Sequence, residues 1–304
     1  MKLLDFAEQF GTEQQCRMQF KKIREKEGVN CKNCKGSEHY WLKSKQMYQC
    51  KGCGFRTSLR SGTIMEASKL PFQYWFISLH LMTGTKKDIS AHQMKRELGH
   101  KRYEPIWAMM HKIRKAMGTR DSRYLLSGQV EVDEGFFETL VPAEQKDEPR
   151  KRGRGSQKQT MVMVFAESKE VESSKRKEGR PSRSCGYFKM LVCANMSVET
   201  AKETIISCVK ETATKLTDGY STYQKLATEM SGFVCEVIAS KEAHIKLPWV
   251  HSAIGNLKRI LNGIFHHTKA EYLQNYIDEF CYKLNRRYFG HALFKRALIT
   301  LTLN

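Results

Sequence analysis

The sequence contains no long hydrophobic run. None of its apolar stretches approaches the roughly 18 consecutive residues that a membrane-spanning helix needs, although 40% of the 304 residues are hydrophobic. The first 30 residues also lack the apolar core of a signal peptide. We therefore expect a soluble, cytosolic protein with no membrane partner. Its length is enough for two or three domains with a real core.

Acidic residues are scarce relative to basic ones. The chain has 32 Asp and Glu against 52 Lys and Arg, which gives a formal net charge of +20 at pH 7. This charge exceeds what solubility requires and indicates a polyanionic partner. An anionic membrane surface could attract such a chain, but no apolar segment would anchor it there. The composition therefore favours nucleic acid as the partner.

Paired cysteines are confined to one short region. Cys31 and Cys34 form one CxxC motif, Cys50 and Cys53 form a second, and 15 residues separate the two motifs. Four thiolates in two close pairs can surround one Zn²⁺ tetrahedrally, and this spacing is typical of a zinc ribbon. Such a shell is closed, so we expect a structural ion. Two disulfides or a chance pairing are the alternatives, and the remaining six cysteines are predicted to be free thiols.

The first 124 residues are predicted to bind DNA. Apolar periodicity predicts an N-terminal helix over 3–27, and the zinc ribbon follows over 28–60. In the region 61–124, one helix starts at Ser90 and stops at Gly99, and another spans 103–117. This pair is typical of a helix-turn-helix, although any αα-hairpin would give the same pattern. The expected DNA contacts of this region are exposed cations: Lys101, Arg102, Lys112 and Arg114.

The periodicity changes at residue 125. Residues 129–133 alternate as a strand does, further strands are predicted over 160–166, 186–194 and 215–218, and Ser197 is predicted to cap a helix. Three meandering strands, a helix and another strand indicate an α/β sheet of the ribonuclease H type, with a helical C-terminus, over 125–304. Four cations in the first basic loop are expected to contact DNA phosphate: Arg150, Lys151, Arg152 and Arg154.

Two aspartates interrupt apolar strands of this sheet. If Val130 and Val132 face one side, Glu131 and Asp133 face the other, and Asp218 closes the last predicted strand before Gly219. Carboxylates on neighbouring strands can hold Mg²⁺, which prefers acidic ligands, water and phosphate oxygens. Each aspartate alone is equally well explained as a turn or edge residue, so the prediction depends on their joint placement.

The order of these motifs resembles a known family. The CxxC pairs, the helix pair, Val130-Glu-Val-Asp-Glu134, Asp218-Gly-Tyr and the stretch from Leu247 to Arg259 together look like bacterial insertion-sequence transposases of the DDE superfamily. The group resembled has an N-terminal zinc ribbon and an ISXO2-like catalytic domain with the ribonuclease H fold. The resemblance covers nearly the whole chain, and the ending from Tyr272 to Arg287 is among its more specific parts.

The resemblance implies a metal-dependent site. Asp133 would be the first ligand of Mg²⁺ or Mn²⁺, and Asp218 would be the second. The third position, usually a glutamate seven residues before a lysine, is His251, because the lysine is Lys258. Asn256 is the alternative third ligand, and a helix histidine with no ligand role also remains possible. A histidine ligand would favour Mn²⁺ over Mg²⁺.

The resemblance also implies roles for three other residues and a function for the whole chain. Glu242 is a weaker candidate for the third ligand, Lys258 would contact DNA phosphate or the terminal base, and Arg259 is expected to contact DNA. The predicted function is that of a transposase, which binds terminal inverted repeats of double-stranded DNA, hydrolyses the end phosphodiester and joins the freed 3′ hydroxyl to target DNA. A homodimer or larger synaptic complex in the bacterial cytoplasm, associated with the nucleoid when active, is expected. The rivals are a zinc-ribbon regulator with an inactive ribonuclease H-like domain, and a ribonuclease or resolvase-type nuclease.

Overall fold

The fold is that of a computed structural model, which describes residues 1–85, 87–141, 149, 156–171, 183–236 and 242–303. The chain divides into two compact units. The first consists of Met1–Arg120 together with Arg286–Asn304, and the second of Asp121–Asn285. No helix of the described residues is long and apolar enough to cross a membrane.

Helices dominate the first unit, and a mixed sheet dominates the second. The elements of the first unit are α1 (Leu3–Phe10), α2 (Glu13–Glu27), β1 (His39–Leu42), β2 (Met47–Cys50), β3 (Arg56–Ser58), α3 (Phe72–Gly84), α4 (Ala91–Glu97), α5 (Glu104–Asp121), which reaches the division between the units, and α11 (Leu293–Ala297). Those of the second are β4 (Gln129–Glu138), β5 (Gln159–Glu170), β6 (Arg183–Cys193), α6 (Val198–Cys208), β7 (Thr214–Asp218), α7 (Ser221–Glu229), β8 (Phe233–Glu236), α8 (Ala243–Lys246), α9 (Pro248–Ile264) and α10 (Ala270–Asn285).

The single helix predicted over residues 3–27 is wrong, because the chain forms two helices there. Thr12 begins the second helix with a capping box, in which its hydroxyl accepts the N–H of Gln15 and the Gln15 side chain accepts the N–H of Thr12. A β-carbon at Gly11 would lie only 2.2 Å from the carbonyl oxygen of Ala7. The local capping signal therefore outweighs the apolar periodicity that runs across the break.

The predicted helix pair is present as α4 and α5. The Ser90 hydroxyl accepts the N–H of Gln93, as an N-cap does. Gly99, with φ +61°, ends the turn after α4 in the left-handed conformation that glycine tolerates best. Both sequence signals thus mark the boundaries of α4.

The last residues of the chain, 286–304, belong to the first unit. Phe294 of α11 contacts three rings, with centroid distances of 5.4 Å to Phe6, 5.6 Å to Phe10 and 5.3 Å to His80. The sequence-based division had placed this segment in the catalytic domain over 125–304. The packing differs because apolar side chains of α11 complete the aromatic core formed by α1 and α3, a contact between residues nearly 300 positions apart in the chain.

The sheet of the second unit has five strands in the order β6-β5-β4-β7-β8. The first three are antiparallel to one another, and β7 and β8 run parallel to β4. In the parallel pair, Gln129 lies opposite Thr214 and Glu131 opposite Leu216. This mixed sheet with helices agrees with the α/β architecture predicted from the alternating strands.

Helices cover both faces of this sheet. One core contains Phe137, Val164 and Met190 with apolar side chains of α9 and α10. The opposite core contains Val130 and Val132 with side chains of α6 and α7. Successive residues of a strand point to opposite faces, so Glu131 and Asp133 lie on the α9 face, as predicted.

Side chains of helix α10 form hydrogen bonds with backbone groups of the edge strand β6. The side-chain amide of Asn285 accepts the N–H of Phe188 at 2.7 Å and donates to its carbonyl at 2.9 Å. About three turns earlier on the same face of the helix, Gln274 accepts the N–H of Val192 at 2.8 Å and donates to the carbonyl of Met190 at 3.1 Å. These four bonds occupy backbone groups that would otherwise be an open edge.

Candidate active site and zinc centre

The four cysteines of the CxxC motifs converge. Their sulfur atoms all lie within 4.8 Å of one another. The closest pairs are Cys31 with Cys53 at 3.6 Å and Cys34 with Cys50 at 3.4 Å. These distances are too long for disulfide bonds, in which the sulfurs are about 2.05 Å apart. The donor set is that of a structural zinc site, so the cluster supports zinc binding.

The two knuckles have the same backbone geometry. The amide of Lys35 donates to the carbonyl of Cys31, and the amide of Gly54 donates to that of Cys50, both at 3.0 Å. Lys35 and Gly54 are left-handed, with φ of +62° and +71°. Each CxxC pair thus closes its own turn, and the strand pairing of β1 and β2 brings the turns together.

The thiols of this cluster differ in pKa. A hydrogen bond from the backbone amide of Phe55 lowers the pKa of Cys53 to about 6. The amide of Gly36 lowers the pKa of Cys34, but the neighbouring thiols of Cys50, Cys53 and Cys31, together with burial, raise it to about 12. A zinc ion would favour the thiolate form of all four.

Asp133 and Asp218 lie on adjoining strands of the second unit. The parallel register of β4 and β7 pairs Glu131 with Leu216, and two residues further along each strand stand Asp133 and Asp218. Asp133 is buried, at 9% exposure, and its Oδ1 accepts the N–H of Glu134 at 2.8 Å. Asp218 is half-buried, and its Oδ1 accepts the N–H of Tyr220 at 3.2 Å.

His251 lies in the first turn of α9, next to Asp133. Its Nε2 is 3.6 Å from Oδ2 of Asp133. The structure thus brings two of the three predicted metal ligands together and places Asp218 on the adjoining strand. Among the residues described, however, the four cysteines are the one group of three or more metal-ligating side chains whose ligand atoms lie within 4.8 Å. Asp133, Asp218 and His251 therefore converge less tightly than the zinc ligands.

Glu131 holds the start of α9. Its side chain is fully buried, and Oε2 accepts the N–H groups of Trp249 at 2.8 Å and Val250 at 3.1 Å. The helix cannot cap itself, because Leu247 stands at its N-cap and Pro248 at its first position. Burial raises the pKa of Glu131 above its ordinary value, although the side chain of Ser168 and the two amides act in the opposite direction. This carboxylate from β4 thus fixes the helix turn that carries His251.

The other predicted residues of α9 occupy different positions. Lys258 is exposed, with Nζ 5.9 Å from the centre of the Phe137 ring. It lies seven residues after His251 and so on nearly the same face of the helix. Asn256 is five residues after His251, which places it on another face, where its Oδ1 accepts a 2.6 Å hydrogen bond from exposed Arg259. Glu242 is exposed and precedes α8.

Tyr223 and Glu134 are neighbours of the site that the sequence reasoning missed. Tyr223, fully buried on α7, donates a 3.2 Å hydrogen bond to Oε2 of Glu134. Burial first, and then the negative charges of Glu134, Asp133 and Asp218, raise its pKa well above the ordinary value. The available signal was weak, because a tyrosine on an apolar helix face is usually a core residue.

The predicted DNA contacts of the first unit differ in exposure. Lys101 and Arg102 are exposed, and so is Lys112, whose Nζ donates to the carbonyl of Glu66 at 3.0 Å. The expectation that Arg114 is exposed is wrong, since only 1% of it is accessible. It lies one turn after Met110 on the core side of α5. The loop residues Arg150, Lys151, Arg152 and Arg154 lie outside the described residues.

Two models of transposase domains match the chain. The family model of the ISXO2-like transposase domain matches residues 125–285, which is more than half of the chain. The model of the transposase zinc-ribbon domain matches residues 11–56. No match was found among curated proteins or among solved structures. The chain therefore belongs to the family of transposases with an ISXO2-like transposase domain, and its N-terminal region carries the transposase zinc ribbon.

Proposed function

We propose that this protein is an active DNA transposase of an insertion sequence. The observation that carries the proposal is the geometry of the second unit. Asp133 and Asp218 lie on adjacent parallel strands, each two residues beyond the paired residues Glu131 and Leu216, and His251 is 3.6 Å from Asp133. The order of the strands and the helices on both faces support a ribonuclease H-like fold for this unit. The charge of +20 suits a protein that must hold DNA ends and target.

The catalytic site would use its own side chains as follows. Asp133 and Asp218 would hold two Mg²⁺ or Mn²⁺ ions, with His251 as the third ligand. Divalent ions bound there would polarise the phosphate and favour ionisation of the attacking oxygen. Glu131 keeps the first turn of α9 in place, and Lys258 is positioned to contact a DNA phosphate on the same helical face.

The proposed reaction has two displacements at phosphorus. Water attacks the phosphodiester at the element end, and the bond from phosphorus to the 3′ oxygen breaks, which frees a 3′ hydroxyl. That hydroxyl then attacks a target phosphodiester and displaces the target's 3′ oxygen. Neither displacement requires a covalent bond to the protein.

We propose His251 and not Asn256 as the third metal ligand. The imidazole is directed at Asp133, whereas the amide oxygen of Asn256 is engaged by Arg259 on another face of α9. Glu242 has neither relation, and its backbone carbonyl accepts the amides of Ile245 and Lys246. We therefore propose a site with two aspartates and one histidine.

The first unit would recognise the element ends. We propose that the zinc ribbon and the α4–α5 pair, as a helix-turn-helix, contact the terminal inverted repeats through exposed cations that include Lys101 and Arg102. Since two ends must be joined to one target, we propose a dimer or larger assembly on DNA. Light scattering of the protein with and without end duplexes would measure that state.

Cleavage and strand transfer on a duplex carrying the flanking inverted repeat test the proposal. Asp133→Asn and Asp218→Asn keep the side-chain size and should each lower cleavage by at least about a thousandfold, equal to about 4 kcal/mol of transition-state stabilisation. Glu229→Gln, at an exposed ion pair with Lys202, is the control and should cleave normally. Equal cleavage by Asp133→Asn and wild type would refute an enzyme that uses this site. Cleavage without joining would indicate a nuclease.

A further inference from the structure

The small sheet of the zinc ribbon has one covered face. Trp41, Tyr48 and Thr57 pair across its three strands and form a row. Tyr48 and Thr57 are buried, at 3% and 2% exposure. Helix α2 covers this row, with Lys21 Nζ 4.7 Å from the Trp41 ring centre and Arg24 5.7 Å from that of Tyr48. The inner face of the sheet is thus occupied by the protein itself.

The outer face carries a different row. Tyr40 pairs with Gln49, and Gln49 pairs with Arg56, so these three side chains form a line across β1, β2 and β3. Alternation along each strand directs them away from α2. Tyr40 is 60% exposed, Arg56 is exposed and Gln49 is half-buried. We name this line the outer row.

The zinc-ribbon segment is basic, and exposed lysines flank the outer row. Between residues 28 and 65 the sequence has one acidic residue, Glu38, and seven basic ones: Lys32, Lys35, Lys43, Lys45, Lys51, Arg56 and Arg60. Lys43 and Lys45 are exposed in the turn between β1 and β2. Lys51 lies beside the row, with its Nζ 5.4 Å from the centre of the Tyr40 ring and 3.5 Å from the exposed carboxylate of Glu38, a pair that DNA phosphate would have to replace. This charge distribution is complementary to a polyanion.

The chemistry of the row is more specific than its charge. Phosphate contacts alone require only cationic side chains. The centre of the outer row, between Tyr40 and Arg56, is instead occupied by Gln49, whose side chain ends in a planar amide. Gln can pair with both N6 and N7 of adenine, and Arg with both O6 and N7 of guanine. Three strands spaced about 4.8 Å apart make the row about 10 Å wide, which is comparable with the major groove at about 12 Å.

We propose that the outer row enters the major groove of double-stranded DNA and reads bases of the terminal repeat. Arg56 would specify a guanine and Gln49 an adenine one or two base pairs away, while Lys43, Lys45 and Lys51 contact the flanking phosphates. The inference rests on the proposed function, because it assigns part of the end recognition to one surface. A zinc ion bound by the four cysteines would also hold the outer row in place, because Cys50 adjoins Gln49 and anchors the strand from the covered side.

The test is selection of bound duplexes from a random library by the full-length zinc-loaded protein. Wild type should enrich a motif. Arg56→Lys keeps the charge but loses the paired donors, and it should lower the preference for one guanine about tenfold. Gln49→Ala should lower the preference for one adenine nearby, again about tenfold. The rest of the motif should persist in both variants, because the helix pair is unchanged.

Lys22→Ala is the matched control. Lys22 is exposed on α2, which covers the opposite face of the sheet, so this variant removes one positive charge and should retain the complete motif. One zinc per chain in every variant would show that the ribbon is intact. An unchanged motif in Arg56→Lys and Gln49→Ala would overturn the inference, as would a uniform loss of affinity for all sequences, which indicates phosphate contacts alone. If the wild-type protein enriches no motif from the library, end recognition is refuted, and with it the proposed function.

Discussion

Replacement of Glu131 by alanine should impair catalysis more than it impairs folding. Two backbone amides, those of Trp249 and Val250, depend on this buried carboxylate. Helix α9 has no alternative cap, because Leu247 offers no side-chain acceptor at its N-cap. With alanine at position 131, the first turn of the helix loses its attachment to β4, and His251 loses its fixed distance to Asp133.

The cost in stability can be worked from these contacts. A hydrogen bond to a charged group contributes about 1.5–3 kcal/mol, and loss of a helix N-cap costs about 0.5–2 kcal/mol. Removal of the carboxylate also relieves the cost of burying it, which offsets part of the loss. We therefore expect Glu131→Ala to lower the free energy of unfolding by about 3 kcal/mol, which leaves a typical domain folded. Glu131→Gln retains an acceptor oxygen and should cost less.

The cost in activity should be larger. A displacement of about 1 Å at a catalytic group can lower the rate about a hundredfold, and we expect an effect of this size on end cleavage by Glu131→Ala. Urea unfolding measures the stability, and cleavage is assayed at a temperature where every variant is folded. Glu131→Gln should recover most of the activity.

Glu167 provides the matched control on the neighbouring strand. Its buried carboxylate also accepts two backbone amides, those of Ser127 at 3.0 Å and Tyr187 at 3.2 Å. Neither residue belongs to α9, so Glu167→Ala should lose similar stability but keep its cleavage rate. If Glu131→Ala and Glu167→Ala reduce cleavage equally at the same folded fraction, then Glu131 stabilises the unit and does not position the site.

Three further outcomes are expected. Zinc chelation, or Cys31→Ser, should abolish selective binding of end duplexes while hydrogen exchange of residues 121–285 stays unchanged; global unfolding would show that the units are inseparable. Strand transfer should be faster with Mn²⁺ than with Mg²⁺, and His251→Glu should retain or raise the Mg²⁺ rate; a rate insensitive both to His251→Ala and to the metal would contradict this. Burial, and secondarily the charge of Arg114, lower the pKa of His111 to about 3 from 6.5. Its contribution is therefore present above pH 6.5 and lost as the pH falls, so the wild type should lose about 2 kcal/mol more than His111→Gln between pH 7 and pH 5, as measured by urea unfolding.

The predictable parts of this protein are those encoded by neighbouring residues. The CxxC spacing is enough to pair the cysteines into knuckles, and a serine before an apolar turn is enough to begin α4 or α6, where Ser197 accepts the N–H of Thr200. Alternation over residues 129–133 indicates both a strand and the face of Asp133. Each of these signals acts within about one turn or one strand, so no knowledge of distant residues is needed.

The candidate site could be predicted only in part for the same reason. The aspartates and His251 were accessible through motif order and the interval to Lys258. The capping role of Glu131 was not, because its partners are 118 and 119 residues away in the chain. Tyr223 was likewise hidden, since only the packing of α7 against β4 brings its hydroxyl to Glu134.

The sequence by itself determined the four clustered cysteines and the strand that carries Asp133, because these depend on spacing and local pattern, whereas His251 was reached through the resemblance to a transposase family. The tertiary structure decided which of these residues meet. It buried Arg114 in the core of the first unit, and it packed Phe294 against Phe6 and Phe10 instead of leaving the last residues with the sheet. Contacts of this kind join residues far apart in the chain, and their energy depends on complementary shapes that no short stretch of sequence encodes.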